Sequence, residues 1–217
     1  LTGIFYRNAR LLENGIRPIY VFDGKPPGEK GDVIRERSER KAVAEAAWKA
    51  ALEKGNLAEA RKAAQATSRF TPEMVKQSKE LLGLMGIPVV ESPSEGEAQA
   101  AQMAIEGTVD AVASQDIDCL LFGAPMLLRN LSIGGKRKIP GRNEYVEVEP
   151  EFIELRAVLE ANGLSRQQLI WMGILVGTDF DEGVMGIGPK KALKIVKDAR
   201  SLDDAVAKAG ALGQLEL

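Results

Sequence analysis

Acidic residues recur in short clusters along this chain of 217 residues. The clusters are Glu95-Gly96-Glu97, Asp116-Ile117-Asp118 and Asp179-Phe180-Asp181, and Asp23 stands alone after an apolar run. Two carboxylates about 4 Å apart repel each other by about 4 kcal/mol at an effective dielectric constant of about 20. Such a cluster needs divalent cations, and hard oxygen ligands suit Mg²⁺ or Mn²⁺. These residue types therefore predict metal-assisted attack on a phosphodiester.

Composition excludes several other kinds of chemistry. The chain has no histidine, which rules out Ser-His-Asp and Cys-His catalysis, and its single cysteine, Cys119, rules out an internal disulfide. The net charge of −2 does not by itself indicate nucleic-acid binding. Basic residues nevertheless gather near residues 25–41 and 136–142 and at Lys190 and Lys191, and their distribution matters more than the total.

Periodic patterns predict alternating strands and helices, which indicate an α/β fold with a mostly parallel central sheet flanked by helices. Two further helices of weak apolar content are predicted between about residues 29 and 69, and a basic loop over 133–142. Strands are predicted over 17–22, 87–91, 110–114 and 126–131, with an edge strand over 144–148. Helices are predicted over 2–14, 73–85, 94–105, 150–162, 165–176, 189–198 and 202–209.

Three of the carboxylates follow predicted strands, where ligands bind in open α/β sheets. These are Asp23, Asp116 and Asp118. Side chains two residues apart in extended backbone point the same way, so Asp116 and Asp118 could share a site. The alternative is a turn after a strand, because turns favour aspartate for local hydrogen bonding.

The other carboxylates have stronger alternatives. Ser92 with Glu95, and Ser94 with Glu97, match the capping-box pattern of a helix start. Asp179 follows the end of a predicted helix, where the dipole disfavours an anion, so either a cation stabilises it or it is an ordinary loop residue. Asp181 is the weakest candidate for a metal ligand, because it adjoins Glu182-Gly183 in what we expect to be a solvated turn.

Two basic features could hold phosphate. Lys30, Arg37 and Lys41 fall on one face of a predicted helix, with Arg40 beside them, although an ordinary solvated face would look the same. The segment Gly186-Ile-Gly188-Pro-Lys190-Lys191 precedes another helix, and its exposed amides could bind a phosphate. The alternative is a tight connection between two helices.

Seven segments run nearly from end to end of the sequence. They are Val21-Phe-Asp-Gly-Lys-Pro-Pro, Arg37-Ser-Glu-Arg-Lys, Leu84-Met-Gly-Ile-Pro, Pro93-Ser-Glu-Gly-Glu-Ala-Gln, Asp116-Ile-Asp-Cys-Leu-Leu-Phe-Gly, Leu175-Val-Gly-Thr-Asp and Gly186-Ile-Gly-Pro-Lys-Lys-Ala. Together, and in this order, they resemble the XPG-type family of structure-specific nucleases, which includes the flap endonucleases, and they resemble its archaeal more than its eukaryotic members.

The resemblance implies an enzyme that hydrolyses DNA phosphodiesters at 5′ flaps, or as a 5′–3′ exonuclease, in replication and repair. It implies two Mg²⁺ per site, with Mn²⁺ as an alternative, and Lys30 and Arg37 acting on the scissile phosphate. Duplex DNA would contact Arg40, Lys41 and the Gly186–Lys191 turn, where a monovalent cation binds in relatives. The implied metal ligands are Asp23, Glu95, Glu97, Asp116, Asp118 and Asp179.

The resemblance also implies a domain organisation around a PIN-like 5′ nuclease core. The core would comprise residues 1–28 and 73–165, and residues 29–72 would form a helical arch. Residues 166–200 would be a duplex-binding helix–two-turn–helix region, and 201–217 a helical remnant.

Two portions of the family pattern are not in this sequence. One is an N-terminal strand that carries a further ligating aspartate, and the other is the C-terminal tail that binds the sliding clamp in full-length relatives. We therefore expect a fragment that is weakly active or inactive alone, from a protein that is cytoplasmic if archaeal or nuclear if eukaryotic.

Two rival functions remain open. A haloacid-dehalogenase-like phosphatase would use Asp116-x-Asp118, but that chemistry requires an apolar strand running straight into the motif, and Ser114-Gln115 intervenes. A non-catalytic module that binds branched DNA would require the basic residues and the glycine turn, but not the acidic clusters. Cleavage that depends on Asp118 separates the nuclease from the binding module.

Overall fold

The computed structural model describes residues 1–25, 50, 71–131, 135–139, 144–178 and 181–213. Two compact units are formed, one by Leu1–Pro18 with Pro26–Val89 and one by Ile19–Lys25 with Val90–Leu217. The predicted division into core, arch, duplex-binding region and remnant stays a prediction. No helix among the described residues combines the length and apolar character required to cross a membrane.

Two helices are described in the first unit. They are α1 (Thr2–Glu13) and α2 (Pro72–Leu84). The α2 helix begins where the sequence predicts, because Thr71 accepts a hydrogen bond from the Met74 N–H at 3.1 Å and Pro72 occupies the first turn.

The second unit holds nearly all the described strands and six helices within the described residues. Its strands are β1 (Tyr20–Phe22), β2 (Val89–Glu91, beginning at the boundary between the units), β3 (Val112–Ala113), β4 (Met126–Arg129), β5 (Gly135–Lys138), β6 (Tyr145–Val148) and β7 (Glu151–Glu154). Its helices are α3 (Gly96–Ile105), α4 (Asp118–Leu121), α5 (Leu155–Asn162), α6 (Arg166–Val176), α7 (Pro189–Asp198) and α8 (Leu202–Gly213).

The described strands form three separate sheets. In the first, β1 pairs with β2, and in the second, β4 pairs parallel with β3 and antiparallel with β7. The third sheet is the antiparallel pair of β5 and β6. Parallel β3 and β4 are connected through α4, and this order of strand, helix and strand accords with the predicted α/β class.

Two apolar clusters form the core of the second unit. The first brings together α3, α4 and β3–β4, and it includes Val112, Cys119 and Leu127, the last two with no exposed surface. The second joins α6, α7 and α8 around Leu175, Ile195 and other buried side chains. The first cluster therefore supports the loop after β3, and the second supports the turn before α7.

Three predictions about elements are wrong. Residues 151–154 form β7 rather than the start of a helix, because they pair along the edge of β4, and α5 begins only at Leu155. The predicted basic loop over 133–142 contains β5, which pairs with the predicted edge strand β6. The four-residue helix α4 was not predicted, and it places Asp118 at a helix start instead of in extended backbone.

Candidate metal centre

The end of β1 and the loop after β2 are joined by three hydrogen bonds. The Ser92 N–H donates to the Phe22 carbonyl at 2.9 Å, and the Gly24 N–H donates to the Ser94 carbonyl at 2.7 Å. Between them, Oδ1 of Asp23 accepts the N–H of Gly96 at 2.7 Å. The last bond links residues 73 positions apart and sets Asp23 against the first turn of α3.

Glycine is required at Gly24 and avoids a tight contact at Gly96. A Cβ atom at Gly24 would overlap the carbonyl oxygen of Ser92, and one at Gly96 would lie 3.0 Å from Oδ1 of Asp23. The two glycines therefore permit the close backbone approach that brings Asp23 next to Glu95 and Glu97.

Neither serine of the predicted capping boxes caps α3. The N-cap residue is Glu95, whose side chain makes no capping bond, and the Ser92 hydroxyl instead donates to the Glu95 carbonyl at 2.8 Å. Asp23 performs the capping role, because its carboxylate accepts one of the amides that a helix start leaves without an intrahelical partner. An anion there is also favoured by the helix dipole.

Asp116 and Asp118 lie in a turn that leads into α4. The N–H of Asp116 donates to the Ser114 hydroxyl, and the N–H of Asp118 donates to Oδ1 of Asp116, both at 3.0 Å. Ile117 has helical dihedral angles, so the prediction from extended backbone is wrong, although the two aspartates remain neighbours. Both side chains are exposed.

Glu97 lies where the acidic side chains meet. Burial raises the pKa of its carboxyl above the ordinary 4.5, a hydrogen bond from its own backbone opposes the rise, and the nearby charges of Asp23, Asp116 and Glu95 add to it. Three of the predicted ligands, Asp23, Glu95 and Asp116, are thus within electrostatic range of a fourth, Glu97. They are contributed by the residue after β1, the start of α3 and the turn after β3.

The donor chemistry of this cluster fits a hard divalent cation, since each member offers carboxylate oxygens. Within the described residues, however, no three acidic, histidine or cysteine side chains close around a point that could hold an ion. The described carboxylates therefore lie near one another but do not surround one common metal position. Like-charge repulsion opposes tighter closure, and a divalent cation would offset that repulsion.

Several predicted site residues lie outside the described part of the chain. Asp179 falls there. The described residues on either side of positions 179 and 180 are joined by a hydrogen bond of 2.8 Å from the Thr178 N–H to the Asp181 carbonyl. Asp181 itself accepts the Gly183 N–H at 2.9 Å, which accords with the solvated turn expected for it. The predicted basic residues Lys30, Arg37, Arg40 and Lys41 also lie outside.

The glycine turn before α7 has the conformation that its sequence predicts. Gly186 has a positive φ of 78°, Gly188 is the N-cap residue, and Pro189 is the first helical residue. The Lys191 ammonium donates to the Gly186 carbonyl at 3.1 Å, while Lys190 is exposed. The turn thus presents an exposed helix start next to a lysine, as a phosphate contact requires.

Sequence reasoning missed the groups that hold the carboxylates in place. Ser114 accepts the Asp116 amide, and Gly24 and Gly96 admit the close contact between β1 and α3. A serine two residues before an aspartate is a recognisable turn signal. The contact between Asp23 and Gly96 has no local signal, because its partners are distant in sequence.

Comparison with known families gives two matches along the chain. The XPG N-terminal domain matches residues 1–44, and the XPG I-region matches residues 86–179. Flap endonuclease 1 of Korarchaeum cryptofilum is 56% identical over 208 residues, which are 95% of this chain and 61% of the relative. Flap endonuclease 1 of Pyrococcus furiosus is 54% identical over 209 residues, which are 96% of this chain and 61% of the relative.

Solved structures give the same result. The flap endonuclease-1 structure from Methanococcus jannaschii superposes with a TM-score of 0.63 at 47% identity, covering 95% of this chain and 60% of that one. The catalytic core of Rad2 in complex with DNA substrate gives a TM-score of 0.67 at 28% identity, covering 99% of this chain and 58% of that one. The chain thus spans about three fifths of the length of the relatives it matches. The two family matches together span more than half of the chain, and with the archaeal relatives they show that this chain belongs to the XPG family.

Proposed function

We propose that the protein is a structure-specific nuclease that hydrolyses DNA phosphodiesters near 5′ flaps with the help of divalent cations. The observation that carries this proposal is the convergence of Asp23, Glu95 and Asp116 on Glu97. Such a cluster is unfavourable without a cation, and oxygen ligands select Mg²⁺ or Mn²⁺. Family membership and identity above 50% to flap endonucleases support the same activity.

The metal ligands that we propose are Asp23, Glu95, Glu97, Asp116, Asp118 and Asp179. A pair of Mg²⁺ ions, when bound, would supply an activated water and stabilise the charge that develops on the phosphate oxygens. The chain's own contribution is to hold the acids in place. The carboxylate of Asp23 is held by the Gly96 amide and that of Asp116 by the Asp118 amide, so each can meet a cation with little rearrangement.

We propose that DNA is bound by two regions of the chain. The Gly186–Lys191 turn would contact the duplex backbone, with a monovalent cation at Gly186 and Gly188, while Lys30 and Arg37 would act on the scissile phosphate from an arch over residues 29–72. The related Rad2 core that was solved in complex with DNA supports this partner. The archaeal relatives support a cytoplasmic location.

Cleavage of a labelled 5′-flap duplex by the full-length protein tests the proposal. We expect cleavage with Mg²⁺, none with EDTA, and a loss of at least about 100-fold in the Asp118→Asn variant, because even groups that only support metal ligands cost about 10- to 100-fold. DNA affinity should persist in that variant. Asp110→Asn is the matched control, since Asp110 is an exposed aspartate at the other end of β3, and it should cut like the wild type.

Two outcomes would contradict the proposal. Undiminished cutting by Asp118→Asn would show that the acidic cluster is not the site. Flap binding by the wild type without any Mg²⁺-dependent cutting would favour a non-catalytic module for branched DNA.

A further inference from the structure

Ser114 lies between the buried core and the acidic turn. Its backbone N–H donates to the Leu128 carbonyl on β4 at 3.2 Å, which ties the residue to the end of the β3–β4 ladder. Its hydroxyl accepts the Asp116 N–H at 3.0 Å.

These contacts continue into the acidic turn. Asp116 uses Oδ1 to accept the Asp118 N–H at 3.0 Å, so fixing the Asp116 backbone also fixes the start of α4. The bond occupies one oxygen of Asp116 and restricts the orientation of the other. Ser114 thus connects a rigid support, the end of the β3–β4 ladder, to two exposed carboxylates whose orientation would otherwise depend on an open turn.

We infer that Ser114 is a positioning residue for the metal centre, acting through Asp116 and Asp118 without touching the ion or the DNA. The inference rests on the proposed function, because it assigns a role toward the ions that function requires. Its physical basis is preorganisation, since groups that orient metal ligands raise affinity by restricting the ligands before the ion arrives. This role requires a hydroxyl at position 114, which either serine or threonine can supply.

The test uses three variants of the full-length protein. Ser114→Ala removes the hydroxyl, Ser114→Thr retains it, and Gln115→Ala is the matched control at the exposed neighbour in the same turn. Mn²⁺ binding without DNA is measured from the electron paramagnetic resonance of free Mn²⁺. The Mg²⁺ concentration that half-saturates flap cleavage and the melting temperature in EDTA are measured alongside.

We expect Ser114→Ala to weaken Mn²⁺ binding and to raise the half-saturating Mg²⁺ concentration by about 10-fold, the lower end of effects seen for groups that orient ligands. Cleavage at saturating Mg²⁺ should fall much less. Ser114→Thr and Gln115→Ala should stay within about 2-fold of the wild type, because the accepting hydroxyl is retained in both.

If Ser114→Ala bound Mn²⁺ as tightly as the wild type, the inference would be overturned. A lower melting temperature in that variant would then mean only that Ser114 stabilises the fold. The inference would also be overturned by a threonine variant that keeps the wild-type melting temperature and fails to restore affinity. If Ser114→Thr lowers the melting temperature, the Mn²⁺ affinities of Ser114→Ala and Gln115→Ala are compared instead, and equal affinities would contradict the inference. A wild-type protein that binds Mn²⁺ but does not cleave flap DNA would contradict the proposed function instead. The Mn²⁺ titration of the variants would still test the role of Ser114.

Discussion

At the scale of single residues, Glu97 reports the electrostatic state of the cluster. Its carboxyl is half-buried, and Asp23, Asp116 and Glu95 all contribute to its raised pKa. The buried Cys119 thiol records the same environment, since burial and the adjacent Glu97 charge raise its pKa to about 11. Both groups resist acquiring negative charge, as expected where carboxylates already converge.

The raised pKa of Glu97 predicts a pH-dependent stability in EDTA. Because the pKa is higher in the folded protein than in the unfolded chain, the stabilisation is present at low pH and is lost as pH rises through the folded pKa. The unfolding free energy of Glu97→Gln should therefore exceed that of the wild type increasingly as pH rises from about 4 to about 7. Urea unfolding across that range measures the difference.

The matched control for this prediction is Glu106→Gln, at the other end of α3. Glu106 is exposed and accepts a hydrogen bond from Gln102, which a glutamine can also accept. We expect the unfolding free energy of that variant, relative to the wild type, to show no comparable increase as pH rises. A pH-independent difference between Glu97→Gln and the wild type would contradict the electrostatic origin of the shift.

At the scale of elements, the start of α3 depends on Asp23, the residue that follows β1. Its N-cap Glu95 makes no side-chain capping bond, and Asp23 accepts the Gly96 amide instead. The sequence allowed the general location of α3 to be predicted, but its first residue is Gly96 rather than Ser94. Local patterns in Ser92 and Ser94 favoured capping by serine, and the tertiary contact from β1 overrode them.

Substitution of Asp23 should separate helix capping from charge. Asp23→Ala removes the acceptor, so it should lower the unfolding free energy in EDTA by about 1 kcal/mol, as typical for a lost N-cap. Asp23→Asn keeps an oxygen that can accept the Gly96 N–H, so it should lower the unfolding free energy much less. Both should lose Mg²⁺-dependent cleavage. Equal stability of the two variants in urea unfolding would show that the bond to Gly96 does not stabilise α3.

At the scale of the whole molecule, the proposed nuclease requires a DNA contact as well as an acidic cluster. The turn before α7 belongs to the core built from α6, α7 and α8, whereas the acids lie around the core of α3, α4 and β3–β4. The turn proposed to bind DNA and the proposed metal ligands therefore adjoin different apolar clusters, and substitutions at one should leave the other intact.

Lys190 offers the test at this scale. It is exposed at the start of α7, next to the turn formed by Gly186 and Gly188. Lys190→Ala should weaken flap-DNA binding and reduce the slope of log affinity against log salt by about 0.9, the value for one lost phosphate contact. Cleavage at saturating DNA should change little. Lys197→Ala, exposed at the far end of the same helix, is the matched control, and equal effects of the two variants would contradict a contact at the turn.

The sequence alone predicted the acid-rich segments, the α/β class and the start of α7 at Pro189. Each of these depends on residue type and on neighbours within a few positions. Carboxylate chemistry and the conformational limits of Gly186 and Pro189 are properties of those residues wherever they occur. The pairing of β7 with β4 and the bond from Asp23 to Gly96 were decided only by the tertiary structure. Those contacts join distant segments, and their formation depends on how cores and backbones pack, which no local pattern records.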